Sequence, residues 1–290
     1  MIYGARPIKR KRRTNAEMDG LREAILSTLH GYHPQTLRQV FYQLTTMGVI
    51  TKEESQYKAL GRVLVQMRED GAVPWGWVAD NTRWQRKPRT FASLEDALNE
   101  TARYYRRSLW NEADEYVEVW VEKDALAGVL VDVTARWDVP LMVSRGFASV
   151  SYIYECAQAI EAQEKPATIY YFGDHDPSGV HIDRSIEKRL RQFAPDADIT
   201  FERVAVQKWQ IEEWNLPTRP TKKTDSRSHS FEGDSVELDA IPPQRLTMML
   251  DQCIQRHVDE ELWIRTQDIE EAERETIQMI ASKYAEEGTA

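Results

Sequence analysis

Apolar positions in the first seventy residues recur at helical spacing. Met18, Leu21, Ile25 and Leu29 predict a helix from Asn15 to about Tyr32, and His33-Pro34 ends it, because proline disfavours the helical conformation of the residue before it. Leu37, Val40, Phe41 and Leu44 form the apolar side of a second helix, from about Gln35 to Met47, which Gly48 stops. A third runs from Thr51 or Lys52 to Asp70, with Tyr57, Leu60, Leu64 and Met67 on one face and Lys58, Arg62 and Arg68 on the other. After Gly71, the stretch Ala72–Asp80 (Pro74, Trp75, Gly76, Trp77, Val78) is expected to form a short β-hairpin. Residues 81–114 are polar and basic, turning helical near Ser93.

Past Tyr116 the period shortens. Val117, Val119 and Val121 alternate in a strand, Ala125–Arg136 is helical, and Leu141–Val143 is a second strand. Ser149–Glu164 is a helix, Thr168–Phe172 a third strand, a further helix follows Gly179, and Ile199–Val206 is a fourth strand. Strands alternating with helices imply an α/β fold with a mostly parallel sheet covered on both faces. Residues 217–235 are polar and expected to be a mobile loop, and the last fifty residues are helical and acidic. Three helices followed by a hairpin fit a winged-helix domain, a helix-turn-helix variant whose later helix enters the major groove. The same arrangement also serves protein interaction. The expected organisation is a basic arm at 1–14, a winged-helix DNA-binding domain at 15–90, a helical connector at 91–114, and an α/β domain with C-terminal helices at 115–290.

Composition narrows the class. With 41% hydrophobic and 29% charged residues the chain is globular, and no apolar run reaches the ~20 residues that span a bilayer. Behind the basic cluster Lys9–Arg13 lies no apolar stretch of the kind a secretory signal needs, and Cys156 and Cys253 have no metal-ligand spacing. Buried thiols in a reducing cytoplasm are expected. The net charge of −9 argues against nucleic acid until its distribution is considered: residues 1–110 carry 19 Lys and Arg against 11 Asp and Glu, while residues 258–290 carry 3 against 10. That asymmetry fits a front half that faces phosphates. An ordinary solvated surface with a solubilising tail fits it equally.

The chemistry gathers where two strands end. Val117–Val121 runs into Glu122-Lys123-Asp124, and Thr168–Phe172 runs into Gly173-Asp174-His175-Asp176-Pro177-Ser178-Gly179. Asp174 and Asp176, two apart, point to the same side of an extended segment. With Glu122 they would form an oxygen-rich cluster that suits Mg2+, since unneutralised carboxylates at close range repel and take up protons.

These two segments resemble the motifs of the Toprim domain as written in the A subunit of topoisomerase VI and its meiotic double-strand-break relative. Val121-Glu122-Lys123-Asp124-Ala125 is similar to the first motif, and Asp174-His175-Asp176-Pro177-Ser178-Gly179 to the Asp-x-Asp-Pro-x-Gly motif. Ser144-Arg145-Gly146-Phe147 falls where that family has a glycine-bearing loop. The resemblance covers residues 15–255 and implies Mg2+ ligands at Glu122, Asp174 and Asp176. It also implies a nucleophilic tyrosine four residues after an arginine, positions held here by Tyr42 and Arg38, although Gln39 stands where the family has an acidic residue. As i and i+4 on one helix, Arg38 and Tyr42 can lie together, and a guanidinium would favour the phenolate and bind the scissile phosphate.

The resemblance further implies double-stranded DNA as substrate, a 5′-phosphotyrosyl intermediate, a homodimer in which one protomer's tyrosine meets its partner's metal site, and a separate ATPase subunit, since this chain has no GxxxxGK[ST] motif. Two other readings use the same residues: a Toprim nuclease in which the metal activates water and Tyr42 only packs, and a non-catalytic DNA-binding protein.

Overall fold

The computed structural model describes residues 13–79, 89–221, 231 and 233–287. The basic arm up to Arg12, Asp80 and the centre of the 217–235 segment lie outside the described residues. The chain divides after Ala79 into two compact units.

The first unit is a bundle of three helices: α1 (Asn15–Gly31), α2 (Leu37–Thr46) and α3 (Glu54–Glu69). Leu21, Ile25, Leu29, Val40, Leu44, Leu60, Leu64 and Met67 form its core, the same positions whose spacing predicted the helices. Thr14 and Thr36 start α1 and α2 through reciprocal capping boxes with Glu17 and Gln39. Gln39 therefore has a local task, its side-chain oxygen accepting the Thr36 N–H at 2.9 Å.

The expected hairpin does not form among residues 72–79. Trp75–Trp77 makes a 3-10 turn, and the chain pairs with the α1–α2 loop instead, Gln35 donating to the Trp77 carbonyl at 3.0 Å and accepting from Ala79 at 2.8 Å. Two contacts explain the preference. Trp77 stacks on His33 at 4.5 Å between ring centroids, and the buried Gln35 side chain donates to the carbonyls of Thr28 and Tyr32. A hairpin would forfeit the stack on His33 and the backbone pairing with Gln35, which those side-chain bonds hold in place.

The second unit holds a four-stranded, all-parallel sheet with helices around it. Its elements are α4 (Leu94–Tyr104), β1 (Tyr116–Val121), α5 (Asp124–Arg136), β2 (Leu141–Val143), α6 (Val150–Glu161), β3 (Ala167–Phe172), α7 (Gly179–Phe193), β4 (Ile199–Ala205), α8 (Lys208–Glu213), α9 (Pro243–Gln255) and α10 (Glu260–Glu287). The strand order is β2-β1-β3-β4, with Val121 beside Val143 and Phe172. Trp120, Ile169 and Tyr171 point into a core closed by α6 and α7. On the other side α5 packs on β1, β2 and α9.

Both faces being covered, β1, β2 and β3 are apolar almost throughout, while β4 at the sheet edge carries Glu202 and Arg203. Glu118 is the exception in the middle of β1: it is buried and accepts from the Tyr116 hydroxyl at 2.9 Å and the Trp120 indole at 2.8 Å. Cys156 and Cys253 are buried free thiols, as expected.

The segment from 91 onward does more than connect. Helix α4 packs along α10, and beyond its end Tyr105 and Arg107 bind Glu273 of α10, at 2.6 and 2.9 Å. That pairing gives the acidic α10 a structural role. Among the described residues no helix is long and apolar enough to cross a membrane.

Ile169 lies at the centre of this core, fully buried, whereas Val131 of α5 is 42% exposed. Ile169→Ala is expected to cost about 2–5 kcal/mol and Val131→Ala under about 0.5 kcal/mol, read as shifts in the urea midpoint at constant slope. Equal losses would contradict the layer assignment.

Candidate functional site

The strand order reverses between β1 and β3. The crossover after β1 leads to β2 on one side, and the next returns to β3 on the other, so a crevice opens at the carboxyl ends of these two neighbours. Glu122 and Asp174 both sit there. Glu122 extends the ladder by donating its N–H to the Phe172 carbonyl at 2.9 Å, and the Asp174 N–H donates to Glu122 Oε2 at 3.0 Å. The two strand ends named from sequence are thereby joined through a carboxylate.

Gly173 makes this approach possible, and Gly179 lets the start of α7 close on the Asp174 backbone. A Cβ on Gly173 would stand 2.8 Å from Glu122 Oε2 and 2.5 Å from the Tyr171 ring, and one on Gly179 would stand 2.2 Å from the Asp174 carbonyl oxygen. Asp176 accepts the Gly179 N–H at 2.7 Å, which fixes its carboxylate at the start of α7. The loop Ser144–Phe147 lies on the other flank, its Gly146 N–H donating to the Glu122 carbonyl at 3.3 Å and Arg145 pairing with Asp124 at 3.1 Å.

The sequence reading missed the charges that surround these three residues. Lys123 reaches Asp174 at 2.9 Å, Asp239 at 2.8 Å and Glu237 at 3.3 Å. Arg219 binds Glu237 at 2.9 Å and Asp176 at 3.5 Å. Arg203 donates to the Asp174 carbonyl at 2.6 Å and pairs with Asp183 at 3.2 Å. The ends of the polar 217–235 segment are thus ordered, Arg219 bridging to Ser235 and His175 to Val236 through paired backbone hydrogen bonds. Asp174 is held from both sides, since its Oδ1 also accepts the Leu238 N–H at 2.8 Å.

These surroundings shift the ionisable groups. Burial, and then the neighbouring charge of Asp174, push the Glu122 carboxyl up to about 7. Asp174 is also raised, again chiefly by burial, with Lys123 opposing. Burial alone would lower Lys123, but Asp239, Asp174 and Glu237 together outweigh it and raise its pKa. His175 is lowered by burial and by Arg203.

The donor set at the crevice is carboxylate oxygen, the chemistry magnesium takes, and Glu122 sits in a field that favours a proton or another cation. Among the described residues, no three acidic, histidine or cysteine side chains converge as a ready-made metal cage. In this conformation Lys123 and Arg219 engage Asp174 and Asp176.

Tyr42 and Arg38 belong to the first unit. Tyr42 is buried, with 5% of its surface exposed, against Phe41 and beneath the Lys52 ammonium at 5.1 Å from its ring. The Arg38 guanidinium lies over the Tyr57 ring at 5.4 Å.

Neither a protein-family model nor a curated protein sequence matches this chain.

The raised Glu122 carboxyl has a consequence for stability. The folded chain keeps this proton up to about pH 7, whereas the unperturbed group loses it near 4.5. The folded state therefore binds more protons in that window, so this group's contribution to stability falls as pH rises from about 4.5 to 7 and is level above. Glu122→Gln is expected to remove that decline, gaining on the order of 2 kcal/mol over the parent between pH 4.5 and 8 in urea unfolding. Parallel pH profiles would contradict the assigned environment.

Proposed function

We propose that this chain is a magnesium-dependent DNA-cleaving enzyme of the winged-helix and Toprim type, acting by tyrosine transesterification in a homodimer. The observation that carries the reading is the Asp174 N–H donating to Glu122 Oε2, which joins two carboxylate-bearing strand ends at the point where the sheet order reverses. Bound by Glu122, Asp174 and Asp176, magnesium would stabilise the charge that develops on a phosphodiester under attack. The chain's own groups prepare for this. Asp176 is held by the first turn of α7, Asp174 by Leu238 and Lys123, and Glu122 by the backbone of Asp174. In this reading Tyr42 attacks phosphorus and becomes joined to the 5′ end, the 3′ oxygen leaves, and Arg38 binds the phosphate. Double-stranded DNA is the substrate, and strand passage would require a separate ATPase subunit.

Hydrolysis is the second reading, and the burial of Tyr42 favours it, because a packed phenol must first be uncovered before it can attack. One assay separates the readings: supercoiled plasmid with Mg2+, denatured with and without protease. Asp174→Asn combined with Asp176→Asn is expected to lower cleavage on the order of a hundredfold or more in either case. Undiminished cleavage would remove the carboxylates from the chemistry. Tyr42→Phe keeps the ring and loses the hydroxyl. It is expected to bind DNA, make no breaks and leave no protein on 5′ ends, while full cutting by this variant would establish water as the nucleophile. Shifted but uncut DNA with the parent chain would point to a binding protein.

A further inference from the structure

Helix α7 leaves the candidate site carrying a row of side chains that the cleavage reading does not use. His181, Arg184, Ser185, Lys188, Arg189 and Gln192 follow at i, i+3, i+4, i+7, i+8 and i+11, so they share one face. With Val150 and Phe193 they line an open groove of about 630 Å³. The opposite face, Ile182, Ile186 and Leu190, is buried in the sheet core.

The cations in this row have no salt-bridge partner among the described residues. The acidic groups of the helix are engaged elsewhere, Asp183 with Arg203 at 3.2 Å and Glu187 with Arg191 at 2.9 Å. Among the described residues, Arg184, Lys188 and Arg189 form no salt bridge, and no acidic side chain lines the groove. Arg184 and Lys188 are i and i+4, an arrangement in which like charges destabilise a helix. The row also stands out against its background, because the chain beyond residue 110 is strongly acidic.

We propose that this face of α7 is a contact surface for the phosphate backbone of duplex DNA, separate from the basic front half of the chain. The row from His181 to Gln192 rises about 16 Å, and duplex DNA presents one charge per about 1.7 Å of axis, so several phosphates come within its reach. Guanidinium forks bind phosphate oxygens in pairs. Six of the eight side chains lining the groove are polar or cationic and none is acidic, the composition that favours a phosphate backbone over a docked protein segment. The helix also starts at Gly179, bonded to Asp176, so DNA laid along it is led toward the strand-end carboxylates. Only this last point, and the choice of DNA as the polyanion, rests on the proposed function.

The test is Arg184→Gln, Lys188→Gln and Arg189→Gln combined, with unchanged circular dichroism as the check on folding. Binding of a labelled duplex of arbitrary sequence is followed by fluorescence anisotropy across NaCl concentrations, in chelator so that cleavage plays no part. The triple variant is expected to bind about tenfold or more weakly at 0.1 M NaCl, and its plot of log K against log salt to be shallower by about 2 to 3. An unchanged slope in a parent that binds duplex overturns this surface and leaves the cleavage reading standing. Weakened binding by the variant of a chain that cuts nothing upholds the surface and removes the cleavage reading. A parent without affinity for duplex, or a variant that loses only self-association, also overturns it.

Discussion

The Lys123 ammonium ties together three parts of the chain that are far apart in sequence. It lies two residues past β1, touches Asp174 beyond the end of β3, and reaches Glu237 and Asp239 in the segment that leads to α9. All three carboxylates are buried, so each depends on a nearby cation or a proton to be tolerable there. Removing such a partner from a buried cluster costs roughly 3–5 kcal/mol in comparable systems. The crevice at the strand ends is thus held by charge balance as much as by packing.

The topology creates that charge problem. Parallel strands bury both faces and deliver their first polar residues at their ends, and the order reversal puts two such ends side by side. Gly173 then allows Glu122 and the Asp174 backbone to approach, and Gly179 lets the start of α7 close on that backbone, more closely than any side chain at those positions would permit. What results is a set of acids in which burial and the charge of Asp174 push the Glu122 carboxyl up to about 7. Under the proposed reaction a phosphodiester would bring further negative charge to this place, and Lys123, Arg219 and Arg203 are the cations nearest to meet it.

Much of this was legible in the sequence, and the reasons differ by element. The four strands and the helices between them followed from a period that changes at Tyr116, and Glu122, Asp174 and Asp176 stood out because acids directly followed apolar runs. That Glu237 and Asp239 partner Lys123 was not legible, since an ion pair across more than a hundred residues leaves no periodic trace. One local signal was there: Val236-Glu237-Leu238-Asp239-Ala240 alternates apolar and acidic residues directly after a polar stretch, and all five are buried. The hairpin after Gly71 was misread because turn residues and tryptophans say that the chain bends but not what it bends onto. Here it bends onto Gln35 and His33. Glu118 escaped notice because the valines around it define only one face of β1.

The proposed chemistry requires the strand-end carboxylates to take a divalent cation. Titrating the full chain with Mn2+, observed by electron paramagnetic resonance at neutral pH, measures this directly. The expected result is saturable binding that Mg2+ displaces and that Glu122→Gln with Asp174→Asn abolishes. Absence of saturable binding, or equal binding by that double variant, would contradict it.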